Sequence, residues 1–260
     1  MSVIYQPSGK AREYSPLACN LYMGCTHMCK YCYAPHVIGK SPADYFAPPR
    51  PRDGILQKLQ AQLEENPPRQ QVMLSFVGDV YCQPFDGGKT TTAALELLLK
   101  HGVPVAILTK GGMRALRDVE VFQRFGQRIA IGATLTFWDE ATSQQWESGA
   151  ATPTQRLEAL KALKYAGLAT FASFEPVIDP AQSLEVLKRS LEADCVDIYK
   201  VGKIDKGYED TDWESFLGQV VQLVRGAGKR LYIKQGLRKA APGIALLPEE
   251  TQPDLYSLKV

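Results

Sequence analysis

Apolar positions along this chain alternate between two patterns. Short apolar runs of strand type occur near Leu17–Leu21, Val72–Phe76, Val103–Leu108, Ile129–Leu135, Ala169–Phe174, Val196–Val201 and Arg230–Ile233. Between them the apolar residues spread to helical spacing. Ile55, Leu56, Leu59 and Leu63 form one helical face, and Trp213, Phe216, Leu217, Val220, Val221 and Val224 form another. Thr152-Pro153-Thr154-Gln155 is a capping box with proline at the first helical position. Asp179-Pro180-Ala181-Gln182 offers the same start with Asp as the cap. Strand and helix in alternation predict an α/β fold of parallel β/α units, a description that fits a barrel or a doubly wound sheet. The periodic part makes a core of residues 17–241, with an N-terminal arm, residues 1–16, and a C-terminal extension, residues 242–260, that has no periodic pattern. Pro42, Pro48, Pro49 and Pro51 mark an extended connection, a spacer or a substrate-facing arm.

Length and composition narrow the class without naming a chemistry. The 260 residues suit one large domain, and 45% hydrophobic with 22% charged residues is ordinary for a globular protein. No apolar run approaches the roughly 18 residues needed to cross a membrane, and the N-terminus lacks the pattern of a signal peptide. Thirty basic against 28 acidic side chains leave a net charge of +2, which neither demands nor excludes nucleic acid. Six cysteines, three of them clustered, predict a reducing cytoplasm and a metal centre rather than a disulfide scaffold.

Those three lie in Cys25-Thr26-His27-Met28-Cys29-Lys30-Tyr31-Cys32. Thiolates are the preferred ligands of iron–sulfur clusters, and four close a cubane; three leave one iron with an open position. Cys25, Cys29, Cys32 and His36 could instead make a Cys3His zinc site, although no distant second pair accompanies them. The run resembles the signature of the radical S-adenosylmethionine (SAM) enzymes, and Tyr31-Cys32-Tyr33-Ala34-Pro35-His36 resembles their spore photoproduct lyase-like branch. The resemblance implies a partial (β/α)6 TIM-type barrel with a short C-terminal extension. It implies a [4Fe-4S] cluster on Cys25, Cys29 and Cys32, with SAM on the fourth iron, cleaved by one electron to methionine and a 5′-deoxyadenosyl radical. The cysteine run follows the first strand, and β/α barrels carry their chemistry in such loops.

Further residues at strand ends fit that resemblance. Gly78 and Asp79, in Val77-Gly78-Asp79-Val80-Tyr81-Cys82-Gln83-Pro84, resemble the segment that binds the SAM amino group, with Cys82 an extra residue before Gln83-Pro84. Tyr31 is expected to help seat SAM. Lys110, in Ile107-Leu108-Thr109-Lys110, matches a lysine near the SAM carboxylate, and Arg156 after Thr152-Pro153 matches an arginine that reaches SAM. Thr134 is a weaker candidate for ribose or carboxylate contact. Cys82 or Tyr81 is the candidate hydrogen-atom donor, because the branch's donor cysteine corresponds to Val77 or Gly78 here. Cys19 and Cys195 read as buried structural thiols. Lys110, Lys200, Lys203, Lys206 and Lys234, with Glu175 among them, would give the mouth a positive rim suited to phosphates.

The resemblance therefore implies a radical SAM lyase or modification enzyme acting on DNA or RNA, by lesion repair or nucleotide modification. A flavodoxin or ferredoxin would serve as reductant. A peptide or small-molecule substrate is the alternative, and a zinc-stabilised nucleic-acid-binding module without catalysis is the second. No partner protein is identified from the sequence.

Overall fold

The computed structural model describes residues 2–205 and 210–258. Its strands in chain order are β1 (Ile4–Tyr5), β2 (Leu17–Cys19), β3 (Tyr22–Met23), β4 (Arg50–Pro51), β5 (Val72–Leu74), β6 (Val105–Thr109), β7 (Ile129–Thr134), β8 (Ala169–Val177), β9 (Ile198–Lys203) and β10 (Arg230–Ile233). One eight-stranded sheet runs β1-β2-β5-β6-β7-β8-β9-β10, and β3 pairs with β4 separately. β1 is antiparallel to β2, and every other pairing in the large sheet is parallel. All seven expected strands are present, and their in-sequence order is the order of a β/α barrel.

Alternation along each strand divides the core into two faces. On β9, Tyr199 and Val201 pack toward the helices with Leu160, Leu187, Phe216 and Val220. Ile198 faces the other way, with Ala18, Met73, Ala106, Ala130 and Phe171. Helices Ile55–Glu65, Lys89–Lys100, Pro153–Tyr165, Pro180–Glu192 and Trp213–Gly226 cover the outer face. The two starts read from sequence form as expected: Thr152 accepts from Gln155 N in a full capping box, and Asp179 accepts from Gln182 N.

β1 and β10 are unpaired edges, and the terminal segments lie across the gap between them. Tyr14 enters the inner face beside Phe76, with a ring-centroid separation of 6.3 Å. Tyr256 donates to the Leu231 carbonyl and its ring lies 5.9 Å from that of Tyr232. The Gln71 amide donates to the Tyr14 carbonyl at 3.3 Å and accepts from Leu258 N at 3.0 Å, so one side chain from the sheet ties both termini. Side chains of the arm and the extension thus pack on the inner face of the sheet. The Pro42–Pro51 stretch also departs from the expected extended connection. Ser41 caps a short helix, Pro42–Tyr45, and Arg50–Pro51 pair with Tyr22–Met23, which folds the stretch over the cysteine loop. Among the described residues, no helix is long and apolar enough to cross a membrane.

Candidate active site

Backbone pairing fixes the cysteine loop from two sides. Cys25 N donates to the Tyr45 carbonyl at 3.1 Å, and Cys32 N to the Cys29 carbonyl at 3.0 Å. On the other side, Lys30 N donates to the Trp146 carbonyl at 2.9 Å, Gly149 N to the His27 carbonyl at 3.0 Å, and Cys29 bridges Glu147. A Cβ on Gly149 would sit 1.8 Å from the Thr26 carbonyl oxygen, so only glycine lets the segment at residue 149 pass this close. Gly78 meets the loop in the same way. Its φ is +92°, and a Cβ there would lie 2.7 Å from the Gly24 carbonyl. The second-strand segment and the cysteine loop therefore touch backbone to backbone.

Donors and a cation lie beside the three thiols, within a buried setting that raises all of them. Burial raises each of them: Cys29 is pushed up to about 11, against the opposing pull of the Lys110 charge. At Cys32 burial is opposed by the Ala34 N–H, the Lys110 charge and the Tyr45 hydroxyl. At Cys25 the Cys82 thiol and burial raise the pKa, while the His27 N–H pulls the other way. On balance all three thiols are raised; the neighbouring donors and the Lys110 charge only partly offset burial, and a bound metal would have to supply the rest of the charge that holds the thiolates. Among the described residues, no three His, Cys, Asp or Glu side chains converge on one metal-ion position. Cys19 and Cys195 lack that setting; burial pushes Cys19 up to about 12 and Cys195 to about 11, as expected of inert core thiols.

Two buried carboxylates organise the walls. Asp79 lies 2.9 Å from His27 Nε2 and accepts from Thr109 Oγ1, Lys110 N and Tyr81 N, each at 2.8 Å. Burial would raise its pKa, but His27 and these donors hold it well below the usual carboxylate range. Asp79 so joins the cysteine loop to the ends of β5 and β6. Glu147 accepts from Tyr31 and from Arg156, and its pKa is lowered because the Arg156 and Lys110 charges and these bonds outweigh burial. Sequence reasoning singled out neither the Asp79–His27 contact nor the Glu147–Tyr31 bond, since both partners of each come from distant loops.

The expected site residues divide by what they touch. Lys110 Nζ stands 5.5 Å from the Tyr31 ring centre, and its pKa is raised because Cys29 and Glu147 outweigh burial. Among the described residues its ammonium has no hydrogen-bonded or ion-paired partner. Arg156 is 1% exposed and donates to the carbonyls of Ala151 and Thr134 and to Glu147, so the protein already occupies the guanidinium. Thr134 is likewise buried. Tyr81 lies in the core, with its hydroxyl on Asp118 at 2.9 Å and its ring edge-on to Phe122, and is not presented to the mouth as a hydrogen donor would be. Cys82 is 1% exposed and packs with Cys25, Ala34, Tyr45 and Val77.

Among the described residues the positive rim does not form. Lys200 and Lys234 occupy inward positions of β9 and just after β10, where Tyr14 covers them; Lys200 Nζ donates to the Tyr14 carbonyl at 3.3 Å. Lys234 bonds Glu175, which also accepts from the Tyr14 hydroxyl at 2.8 Å. Lys203 donates to the Ile204 carbonyl at 2.9 Å and lies over Trp213. Lys206 lies outside the described residues.

Residues 19–193, two thirds of the chain, match the family model described as Radical SAM superfamily. The chain belongs to that superfamily. Radical SAM proteins work with a [4Fe-4S] cluster and SAM, and the donor set around Cys25, Cys29 and Cys32 suits the first of these. The radical SAM protein of Streptococcus suis called SuiB, solved bound to S-adenosylmethionine, shares the fold with a TM-score of 0.64 at 14% identity, over 88% of this chain and 53% of that one. A spore photoproduct lyase variant with bound S-adenosylmethionine and dinucleoside spore photoproduct gives 0.60 at 14% identity, over 94% and 65%. By sequence, an uncharacterised protein of Methanocaldococcus jannaschii is 24% identical over 173 residues, 65% of this chain and 62% of that protein. One of Mycobacterium tuberculosis is 26% identical over 166 residues, 61% and 48%. The radical SAM chain thus matches about half to two thirds of the length of these curated relatives.

Proposed function

We propose that this chain is a radical SAM enzyme whose cluster is held by Cys25, Cys29 and Cys32 and whose substrate is a nucleic acid. When bound, the cluster supplies the electron that cleaves SAM to methionine and a 5′-deoxyadenosyl radical. The single observation that carries the enzyme reading is the Lys110 ammonium, beside Cys29 and over the Tyr31 ring, without a hydrogen-bonded or ion-paired partner among the described residues and so available to the SAM carboxylate. Gly78 brings the second-strand backbone against the cysteine loop, where it can meet the SAM amino group. Asp79, Tyr31 and Arg156 act as positioning residues, Asp79 through His27 and Lys110 N, Tyr31 and Arg156 through Glu147. Thr134 contributes through its carbonyl.

Support for a nucleic acid comes from exposed aromatics in loops at the strand ends. Phe85 is 68% exposed with the Arg50 guanidinium 4.5 Å from its ring centre, and Tyr33, directly after Cys32, is 53% exposed. An aromatic face with an arginine beside it suits base stacking next to phosphate. The reading covers lesion repair by a lyase and nucleotide modification, with a flavodoxin or ferredoxin as reductant in a reducing cytoplasm.

Anaerobic reconstitution with iron and sulfide, followed by dithionite and SAM, should yield 5′-deoxyadenosine, and Cys29→Ala should lose the brown chromophore and most of the iron. A cluster-loaded protein that gives no 5′-deoxyadenosine would sink the enzyme reading. Phe85→Ala should weaken single-stranded oligonucleotide binding by about 1–3 kcal/mol, read by fluorescence anisotropy. Unchanged affinity, or affinity independent of salt, would instead favour a peptide or small-molecule substrate.

A further inference from the structure

The inner wall over β8–β10 changes character along its length. Toward the amino ends of the strands Phe171 pairs in register with Ile198, and both join the apolar inner cluster. Two residues on, the inward positions are Ser173 and Lys200, and beyond them come Glu175, Gly202 and Lys234. Gly202 leaves room for its neighbours: a Cβ there would lie 2.8 Å from Glu175 Oε1 and 2.9 Å from Lys234 Cδ. The polar part of the wall is thus at the end where β/α barrels do their chemistry.

A strap covers it. Residues 6–16 leave the sheet after Tyr5 and return at Leu17, and Tyr5 pairs with Ala18, so both ends are pinned side by side. In between, the strap supplies partners for the polar wall. The Tyr14 carbonyl accepts from Lys200 Nζ at 3.3 Å, the Lys10 carbonyl accepts from Lys234 Nζ at 3.2 Å, and the Tyr14 hydroxyl meets Ser173 and Glu175. The Tyr14 ring centre stands 4.2 Å from Lys234 Nζ and 5.4 Å from Lys200 Nζ. An ammonium has three N–H donors, yet Lys200 has this one hydrogen-bond acceptor among the described residues. The outer side of the strap is held at the surface, where Arg12 pairs with Asp254 at 2.7 and 2.9 Å and Lys10 pairs with Asp205. All four of these side chains are more than a third exposed, and such pairs contribute little.

We infer that Ser173, Lys200 and Lys234 form a subsite for a phosphodiester of the nucleic-acid substrate, and that the strap masks it until that phosphate displaces Lys10 and Tyr14. The inference rests on the nucleic-acid reading above. A phosphate oxygen is a charged acceptor where the strap offers neutral carbonyls, so it bonds the two amines more strongly. Burial pulls Lys200 down to about 7, and an anion beside it would hold its proton. Lifting Tyr14 also uncovers Phe76, whose ring centre lies 6.3 Å from that of Tyr14, so a base can take the place of the Tyr14 ring while its phosphate takes the place of the carbonyls. Because the ends of the strap are paired to each other, it can open as a loop while β1 stays on β2.

The test uses the reconstituted full chain and a fluorescein-labelled oligothymidylate single strand, with affinity read by anisotropy. Arg12→Ala should bind the strand about two- to fivefold more tightly than the wild type, the factor by which an exposed ion pair keeps the strap closed. Non-specific attraction to phosphate predicts the opposite sign, since this variant loses a positive charge. Adding Lys200→Met to Arg12→Ala should abolish the gain. Amide hydrogen exchange across residues 6–14 of the wild type should speed up when the strand binds, whereas a bystander segment would be unchanged or protected. Equal or weaker binding by Arg12→Ala, a gain that survives Lys200→Met, or a strap that does not open on binding overturns the masked subsite and leaves the nucleic-acid reading standing. If neither the wild type nor Arg12→Ala binds the strand, the nucleic-acid reading itself has failed and the subsite falls with it.

Discussion

On the β2–β7 side of the mouth, Asp79 and Glu147 are each held by several donors; on the β8–β10 side, Lys200 is buried against one backbone carbonyl. Both regions lie at the inner ends of the same sheet and both bury charge. The first does so with partners for nearly every oxygen, so the ionised form is favoured and the geometry is fixed before any ligand arrives. The second pays for burial in protonation: Lys200, near Lys234 and Arg230 and only distantly offset by Glu13, is pulled down to about 7, chiefly by burial. Rigidity collects where the cysteine loop must be held, and charge lability where Tyr14 and the N-terminal arm fill the lumen.

The comparison breaks first at its strongest point. Asp79→Asn would set an amide NH2 against donors from His27, Thr109, Lys110 and Tyr81, and should cost about 3 kcal/mol in urea unfolding. It should also loosen the cysteine loop and lower retained iron. Because the folded pKa of Asp79 is depressed, its contribution is present above about pH 3.9 and is lost as the pH falls through the folded value. A variant as stable as the wild type at pH 7, with full iron, would mean that the hub is not what fixes this side.

Much of that side was legible in the sequence. The seven strands are present, with ends displaced by up to three residues, and the cysteine run, Gly78 and Lys110 meet at one place because β/α units put strand ends on one face. The corrections share a physical cause. Lys200 lies two residues from Ile198 and therefore points inward with it, and period two alone cannot say whether an inward lysine meets water or a plug. The plug is Tyr14, 186 residues away in sequence, from an arm with no periodic pattern. Glu147 likewise gains its meaning from Tyr31 and Arg156, which reach it from a loop and a helix that sequence spacing does not relate. Tyr81 sits three residues after Gly78 but turns outward into the Asp118–Phe122 core, a direction that a loop does not reveal.

The labile side gives a smaller effect with a definite sign. With Lys200 near 7 in the folded chain and about 10.4 unfolded, the unfolded state holds the extra proton between those values. Stability from this group therefore rises with pH across roughly 7 to 10, and its penalty is fullest below pH 7. Lys200→Met should remove the penalty. The variant should gain on the order of 1–3 kcal/mol near pH 6 and converge on the wild type toward pH 10, which chemical unfolding across that range would show. A constant difference at all pH values would show that Lys200 is not titrating in this window. Glu13, Glu175, Lys234, Arg230 and Tyr14 face it and remain in both proteins, so the difference isolates the one amine.

The smallest effect separates the stability of a wall from the rigidity of what it carries. Thr152 caps the helix Pro153–Tyr165 by accepting from Gln155 N at 3.2 Å, and Gln155 returns a bond to Thr152 N at 3.1 Å. Thr152→Ala should cost about 1 kcal/mol, a drop of roughly 2–4 °C in Tm by calorimetry. Arg156 sits in the first turn of that helix, yet its guanidinium is held by Ala151, Thr134 and Glu147 rather than by the cap. Fraying of the cap should therefore leave Glu147, and with it the Tyr31 contact and the iron content, at wild-type values. If Thr152→Ala loses iron in proportion to its lost stability, the helix start and the Glu147 network form one cooperative unit. The contrast between the two sides would then belong to the whole helix layer rather than to the buried carboxylates.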